Sequence, residues 1–338
     1  MSKKPELIDD IFYTEEQKNM QWSVMGLWND MNIKTKRNEP KVRDYISPSD
    51  IGKSYWNRYQ KMNGVPEDAP FNNRVLRIFS AGDEFHNLLK NVFKSAGIFI
   101  NSQDDEGWSE IDATPTTLKV LGKYDALVGG LPDYDKAKEH CEIMGLSDFV
   151  KSRVLSLVEK LIEIYPHGLP ELLYEIKSVN SQAFWHKKGY LIESYPWHAL
   201  QCYAYLKANN KPEGRILYIS KDDLMTAEFP ILYPCEKYEE LLQKDLEEMS
   251  YFIINKIEPP RPEPIVFNPK GSCAFQHLKK KYKTEGCFQA NWEIERSPWF
   301  KTLTGFENVK DWKKSINGLI LDKNNEFKHE FKTKIGLV

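Results

Sequence analysis

Six side chains in this sequence are of types that hold metal ions or move protons: His86, Asp125, Glu175, Lys177, Gln201 and Tyr205. Glu175 and Lys177 flank Ile176 at the end of the apolar run Leu172-Leu173-Tyr174. In a strand, positions i and i+2 share a face, so the two emerge side by side about 7 Å apart while Ile176 turns into the core. Asp125 closes Gly122-Lys123-Tyr124-Asp125 inside an otherwise apolar stretch. His86 lies one helical turn after Gly82, and Gln201 and Tyr205, four apart, stack on one helix face. Two carboxylates within about 4 Å repel by roughly 4 kcal/mol at an effective dielectric of about 20. A hard divalent cation between them removes that cost, and oxygen donors suit Mg²⁺ or Mn²⁺. An added imidazole tilts the preference toward Mn²⁺. Carboxyl groups with ordinary pKa values of about 4 are ionised at working pH. Lys177 then supplies a positive charge that can hold or help deprotonate an attacking water and neutralise a pentavalent phosphate.

Taken singly, each residue has an ordinary structural role. A Glu-x-Lys pair on a strand is commonly a solvated ion pair of little energetic weight. A lone strand aspartate marks a turn or edge, a helix histidine a satisfied core position, and Gln201 with Tyr205 half-buried packing. The signal is in the order and spacing of the whole set. Composition adds bounds. With 338 residues, 41% hydrophobic and 28% charged, and with 9 Trp, 17 Tyr and 17 Phe, the chain can bury a sizeable core. No run of about 18 apolar residues predicts a transmembrane span. The start, Met1 to Glu6, turns acidic and aromatic without the apolar stretch of a secretory signal. Net charge is -2, from 47 basic and 49 acidic residues, so no global field for nucleic acid results, although a local basic groove can hide in a balanced total. Cys141, Cys202, Cys235, Cys273 and Cys287 are odd in number and form no C-x-x-C pair. Neither a disulfide framework nor a zinc ribbon is indicated, and a reducing, cytoplasmic setting without membrane attachment is expected.

The elements that must position these residues begin with a polar, amphipathic extension over residues 1–43, helical from Glu15 to Met31. Ser47-Pro48-Ser49-Asp50 has the form of a helix start, predicting a helix through Tyr59 that stops near Asn63-Gly64. Ile78, Phe85, Leu88, Leu89 and Val92 recur at helical spacing and predict a helix over Asn73 to Ser95. Ile98 to Ile100, Thr117 to Val128 and Glu171 to Val179 have strand composition, with an amphipathic helix from Ser147 to Tyr165 between the last two. A helix over Trp197 to Ala208, strands over Arg215 to Ser220 and Met225 to Ile231, and a helix from Glu236 to Ile257 complete an α/β layer pattern. Glu258-Pro259-Pro260-Arg261-Pro262 stops the last helix.

Gly82-x-x-x-His86 on a helix, Gly122-x-x-Asp125 on a strand, Glu175-x-Lys177 on the next strand and Gln201-x-x-x-Tyr205 on a following helix resemble the PD-(D/E)XK nuclease superfamily, in particular its RecB-type and CRISPR-associated exonuclease branch. Ser47-Pro48-Ser49 and the helix after it also look like that family's opening segment. The resemblance covers residues 44–262, about two thirds of the chain. It implies a central mixed β-sheet flanked by helices, a restriction-endonuclease-like core, with a helical insertion at about 131–170 and terminal extensions at 1–43 and 263–338. It further implies His86, Asp125, Glu175 and the backbone carbonyl of Ile176 as Mg²⁺ or Mn²⁺ ligands, with Lys177 catalytic. Gln201 and Tyr205 would orient DNA or the carboxylates. Two departures stand out. Many relatives hold an iron–sulfur cluster on one early and three late cysteines, yet Ser54 stands at the early position and the tail offers only Cys273 and Cys287. Two thiolates cannot supply the four usually needed, so no cluster is expected. The separation of 50 residues between Asp125 and Glu175 is long for the family and accommodates the insertion, which would either cap the cleft or pack elsewhere.

DNA needs cations for phosphates and aromatic faces for bases. Trp185, Lys187, Lys188 and Tyr190, just after the catalytic strand, offer both, and Lys53 and Arg58 (with Lys61) could line the same groove from the opening helix. Lys279-Lys280-Lys281-Tyr282-Lys283 with Trp292, Trp299, Phe300 and Trp312 makes the tail basic and aromatic, a candidate accessory or partner-binding unit. The expected activity is metal-dependent DNA hydrolysis, more as an exonuclease than an endonuclease, with DNA and a recombination or replication protein as partners. The rivals are a catalytically inactive nuclease-fold module that binds DNA or a partner, and a structure-specific endonuclease. One expectation has a direct check: anaerobically purified protein should lack the broad visible absorbance of an iron–sulfur cluster, and a sample showing it would overturn the cysteine reading.

Overall fold

A computed structural model describes residues 41–53, 55–66, 73–102, 108–181, 184 and 195–259. Residues 1–40 of the expected N-terminal extension, the whole of 263–338, Ser54, and the expected DNA contacts Trp185, Lys187, Lys188 and Tyr190 lie outside the described residues. The chain is α/β. Its main sheet holds five strands: β1 (Phe99–Asn101), β4 (Ala126–Gly130), β5 (Leu169–Val179), β6 (Glu213–Ser220) and β7 (Thr226–Leu232), in that spatial order. β5 and β6 are parallel and the other neighbours antiparallel, so the sheet is mixed, as expected. A separate two-stranded ladder joins β2 (Ser109–Ile111) to β3 (Val120–Gly122). The helices are α1 (Tyr55–Met62), α2 (Asn73–Ser95), α3 (Tyr134–Ile143), α4 (Asp148–Ile164), α5 (Pro196–Asn209) and α6 (Glu236–Ile254).

Side-chain alternation along β5 and β6 sorts the core into two layers. Leu173, Ile216 and Tyr218 face a cluster built with α1, α5 and α6. Tyr174, Ile176, Leu217 and Ile219 face the other side, against Leu89, Phe85 and Phe93 of α2. Ile216 through Ile219 are all buried, as expected of a strand covered on both faces. Each such side chain contributes roughly 1.5–3 kcal/mol by leaving water. Among the described residues no helix is long and apolar enough to cross a membrane.

Several boundaries differ from expectation, for local reasons. The predicted opening helix is broken: Pro48–Asp50 is a single 3-10 turn, and α1 starts only at Tyr55. Gly52, at φ 86°, and Ile51, at ψ 132°, leave the helical region between them. Ser47 does not cap; its hydroxyl shares a hydrogen bond with Ser49. The single strand expected over Thr117 to Val128 is two, because the chain bends at Lys123 to Asp125 and passes from the small ladder into the main sheet. The insertion holds a second helix, α3, beyond the expected one; Asp133 caps it by accepting from the Lys136 N–H at 2.9 Å. Its buried Ala137 and Cys141 are four apart, the spacing of one helical face.

The insertion α3–α4 leaves the sheet after Gly130 and returns at Leu169. Asp125 lies at the other end of β4, about 17 Å along the strand at about 3.3 Å per residue. At its roots the insertion is therefore remote from Asp125, which favours packing elsewhere over capping. Arg58 corrects a second expectation. It is 2% exposed and donates both Nη1 contacts, at 2.7 and 2.9 Å, to the carboxylate of Asp245 on α6. A guanidinium enclosed in that way ties α1 to α6 and does not reach DNA phosphates. Burial opposes its charge, but the Asp245 carboxylate outweighs that and holds its pKa above the ordinary value. Removing one partner strands the other in the core, so Asp245→Asn is expected to lower unfolding free energy by about 3–5 kcal/mol in denaturant titration. A change below about 1 kcal/mol would show that the pair is not a structural lock.

Candidate active site

The site forms where β4 and β5 part. Their last rung is Ala126↔Tyr174, and beyond it Asp125 on one side and Glu175 to Lys177 on the other are free of the ladder. Asp125 fills the gap by accepting the Ile176 N–H at 2.6 Å through Oδ2. The N–H and C=O of one extended residue point the same way, so the Ile176 carbonyl faces the Asp125 side, where the resemblance requires a ligand. The Ile176 side chain is buried in the α2-facing core.

Glu175 and Lys177 share the face of Leu173 and so meet α5. Glu175 is 3% exposed. Its Oε1 accepts from Lys177 Nζ and, at 2.8 Å, from Gln201 Nε2. Its Oε2 is buried without a hydrogen-bond partner among the described residues. Burial pushes the Glu175 carboxyl up to about 7, with Lys177 pulling the other way and the Asp125 charge adding to the rise. For Lys177 burial works against the charge, yet Glu175 and then Asp125 overcome it and hold the ammonium above its ordinary pKa. Asp125 is likewise opposed by burial, but its hydrogen bond and charge interaction with His86, the Lys177 charge and the Ile176 N–H bring its pKa below the usual carboxylate range.

His86 arrives from the opposite layer. It projects from α2, its Nδ1 3.2 Å from Asp125 Oδ1. Burial lowers its pKa, while the Asp125 hydrogen bond and charge, followed by Glu175, raise it to a net value above the ordinary one. One turn earlier, α2 passes over β5 at Gly82, where a Cβ would rest 3.6 Å from Ser178 Oγ. That is ordinary contact, so the glycine permits the crossing without being sterically demanded by it.

Gly122 is different. A Cβ there would stand 2.6 and 2.7 Å from the Pro48 ring and 3.0 Å from the Tyr205 hydroxyl. The bend that delivers Asp125 is thus closed over by the 3-10 turn and by α5. Tyr205 is buried, packs edge-on against Tyr124 at 6.5 Å and interacts with Gln201; burial pushes its phenol well above the ordinary value. In this arrangement Gln201 holds a site carboxylate, and Tyr205 stands behind it, hydrogen-bonded to Gln201.

Sequence reading missed His198 and Tyr218. His198 Nδ1 lies 2.8 Å from the Tyr218 hydroxyl, and Tyr218 is the register partner of Lys177. Burial, then Lys177 and Lys53, keep His198 well below its ordinary pKa and hence neutral. The available signal was position: His198 precedes Gln201 by three residues on one helix face. The influence of Lys53 on His198 also places that lysine on the α5 side of the site, 3.8 Å from Asp50.

His86, Asp125, Glu175, Lys177 and Gln201 are therefore brought together, and Ile176 with them. Among the described residues, no three His, Cys, Asp or Glu side chains converge tightly enough to form a ready-made metal cage. His86 closes on Asp125, and Lys177 with Gln201 closes on one oxygen of Glu175. The donor types nevertheless fit a hard cation. Glu175 Oε2 is a buried oxygen that no described residue satisfies, and Asp125 lies close enough to raise the Glu175 pKa. Two carboxylates, a carbonyl and an imidazole are Mg²⁺ or Mn²⁺ chemistry.

No protein-family model matches the chain, and no curated protein matches it. A solved structure described as "Crystal structure of SSO0001" overlaps 72% of this chain and 91% of its own length, at 17% identity and a TM-score of 0.39. That overlap is too loose to carry fold or function across.

Glu175 yields a pH prediction. Its folded pKa of about 7 exceeds the ordinary 4.5, so metal-free protein loses stability as pH rises from about 4.5 to 7, by about 3 kcal/mol at 1.36 kcal/mol per unit. A cation needs the ionised carboxylate. Mn²⁺ affinity measured by calorimetry should therefore climb at least about tenfold per pH unit up to about 7, and level only once His86, held above its ordinary pKa, has also lost its proton. Affinity that is flat across this window would contradict the assignment of Glu175 as a buried ligand.

Proposed function

We propose that the chain is a metal-dependent deoxyribonuclease of the PD-(D/E)XK type, acting as an exonuclease. The observation that carries the reading is the meeting of Asp125, Glu175 and Lys177 at one strand divergence, with Gln201 on Glu175 and a buried carboxylate oxygen left unpartnered. Composition and fold class alone would not single out this chemistry.

On this reading Asp125, Glu175, the Ile176 carbonyl and His86 hold the cation. When bound, the cation supplies Lewis-acid polarisation of the phosphoryl oxygen and a lowered pKa for the attacking water. The chain's own residues do the rest. Gln201 holds Glu175 through Oε1, leaving Oε2 without a hydrogen-bond partner among the described residues. Lys177 is an ammonium at neutral pH, so it donates: it orients the nucleophile and offsets negative charge growing on the phosphate. Asp125 is ionised and anchored by the Ile176 N–H, which fixes its distance from Glu175. Neutral His198 adds no competing positive charge beside Lys177. Lys53, ion-paired with Asp50 at 3.8 Å, is assigned on this reading to a backbone phosphate.

A second reading, a nuclease-fold module that binds DNA or a partner without turnover, draws on the closed arrangement of the same side chains. One set of assays separates the two. Full-length protein with Mn²⁺ or Mg²⁺ should degrade end-labelled linear DNA, stop with EDTA, and leave covalently closed circles intact. Lys177→Ala should lower the cleavage rate at least about 100-fold while DNA binding and the circular-dichroism spectrum persist. Full activity of Lys177→Ala would remove the mechanism, and DNA binding by wild type without cleavage under any divalent metal would favour the inactive module.

A further inference from the structure

The insertion carries a feature that the catalytic reading does not use. Helix α4 buries one face, Leu155 and Val158, against Ala137 and Tyr134 of α3. Another face carries Val150, Val154, Leu157, Leu161 and Ile164, separated by four, three, four and three residues. That spacing is the a/d seam of a coiled coil. Val154 and Leu161 are half-buried, whereas Leu157 is 60% exposed and Ile164 65%, and Phe149 beside the start of the stripe is 69% exposed. A contiguous apolar stripe of this kind on a surface helix marks a docking site. It lies on the element rooted at the far end of β4 from Asp125, so a bound partner would not need to enter the cleft.

The charges beside the seam identify the occupant. With Val150, Leu157 and Ile164 as d positions, the flanking e and g positions hold Lys151, Val158, Tyr165, Arg153 and Lys160. The e side turns toward α3, where Val158 is buried, so the flank open to a partner is the g side, and its Arg153 and Lys160 are both basic. Lys151 is engaged by Glu142, and the Arg153 guanidinium lies 5.7 Å over the Phe149 ring, extending the edge of the stripe. A second copy of this chain fits poorly, since antiparallel pairing sets Arg153 against Lys160 and parallel pairing gains no charge contact. An anionic membrane fits poorly too. α4 carries Asp148, Glu159 and Glu163 against Lys151, Arg153 and Lys160, a net charge of zero, whereas interfacial helices have a strongly cationic polar face.

We propose that α4 is a docking seam for an amphipathic helix of a partner protein, apolar at heptad spacing and acidic at the positions flanking its seam. The inference is independent of the nuclease reading and survives its failure. It is tested with full-length protein and a fluorescein-labelled 21-residue synthetic peptide that has Leu at a and d and Glu at e and g. Saturable binding is expected by anisotropy, weakened at least tenfold by Leu157→Glu and at least tenfold when the peptide's Glu residues are replaced by Lys. Leu157 is exposed, so the variant should keep its near-ultraviolet circular dichroism and its melting temperature. A second variant, Ile164→Glu, guards against a local fold defect and should weaken binding in the same way. The proposal is overturned by absence of peptide binding, by equal binding of the Lys peptide, or by binding that neither variant weakens. It is also overturned by a self-association that Leu157→Glu abolishes, which would assign the seam to a second copy, or by co-sedimentation with phosphatidylserine vesicles that Leu157→Glu abolishes, which would assign it to a membrane.

Discussion

The constraint on which the rest depends is the burial of a carboxylate that the fold does not fully satisfy. Glu175 is enclosed between the sheet and α5, with one oxygen held by Lys177 and Gln201 and the other by no described residue. A buried, half-satisfied acid is unfavourable unless a cation or a proton joins it. The surrounding elements are arranged to keep it so. β5 is the middle strand of the main sheet and cannot yield, α5 closes one side, and the β3–β4 bend brings a second carboxylate near it. The Pro48 ring over Gly122 then fixes that bend.

Two layers of the protein contribute to one site. Glu175, Lys177 and Gln201 belong to the side of the sheet that α5 covers, and His86 to the side that α2 covers. Asp125 stands at the strand opening between them and takes contacts from both, from His86 directly and from β5 through the Ile176 N–H. Each carboxylate thereby has a partner from its own neighbourhood. A cation drawing Asp125 and Glu175 together has to compete with those contacts, which links its binding to protonation.

The legible part of this protein was whatever a short window encodes. Helices α2 and α4 came from periodicity, the strands from composition, and the pairing of Glu175 with Lys177 around Ile176 from the period of a strand, while the mixed sheet was implied by the family resemblance. What failed depended on tertiary contact. Arg58 reads as a groove cation until Asp245, far along the chain, is found enclosing it. The helix after Ser47 has the right cap residues, yet Gly52 departs from helical geometry to let the chain pass under α6, where its N–H lies 3.4 Å from Asp245. The break at Lys123 to Asp125 lies within one run of strand-forming residues, and only the separate ladder with β2 reveals it. His198 carried no motif of its own.

The most direct measurement is the crystal structure of the full chain grown with Mn²⁺, with anomalous differences collected at the manganese edge. A peak within coordination distance of Asp125, Glu175 and the Ile176 carbonyl, with Lys177 alongside, is the expected result. Density showing the Glu175 carboxylate still closed on Lys177 and Gln201, with manganese absent from that cleft at saturating metal, would contradict the central claim.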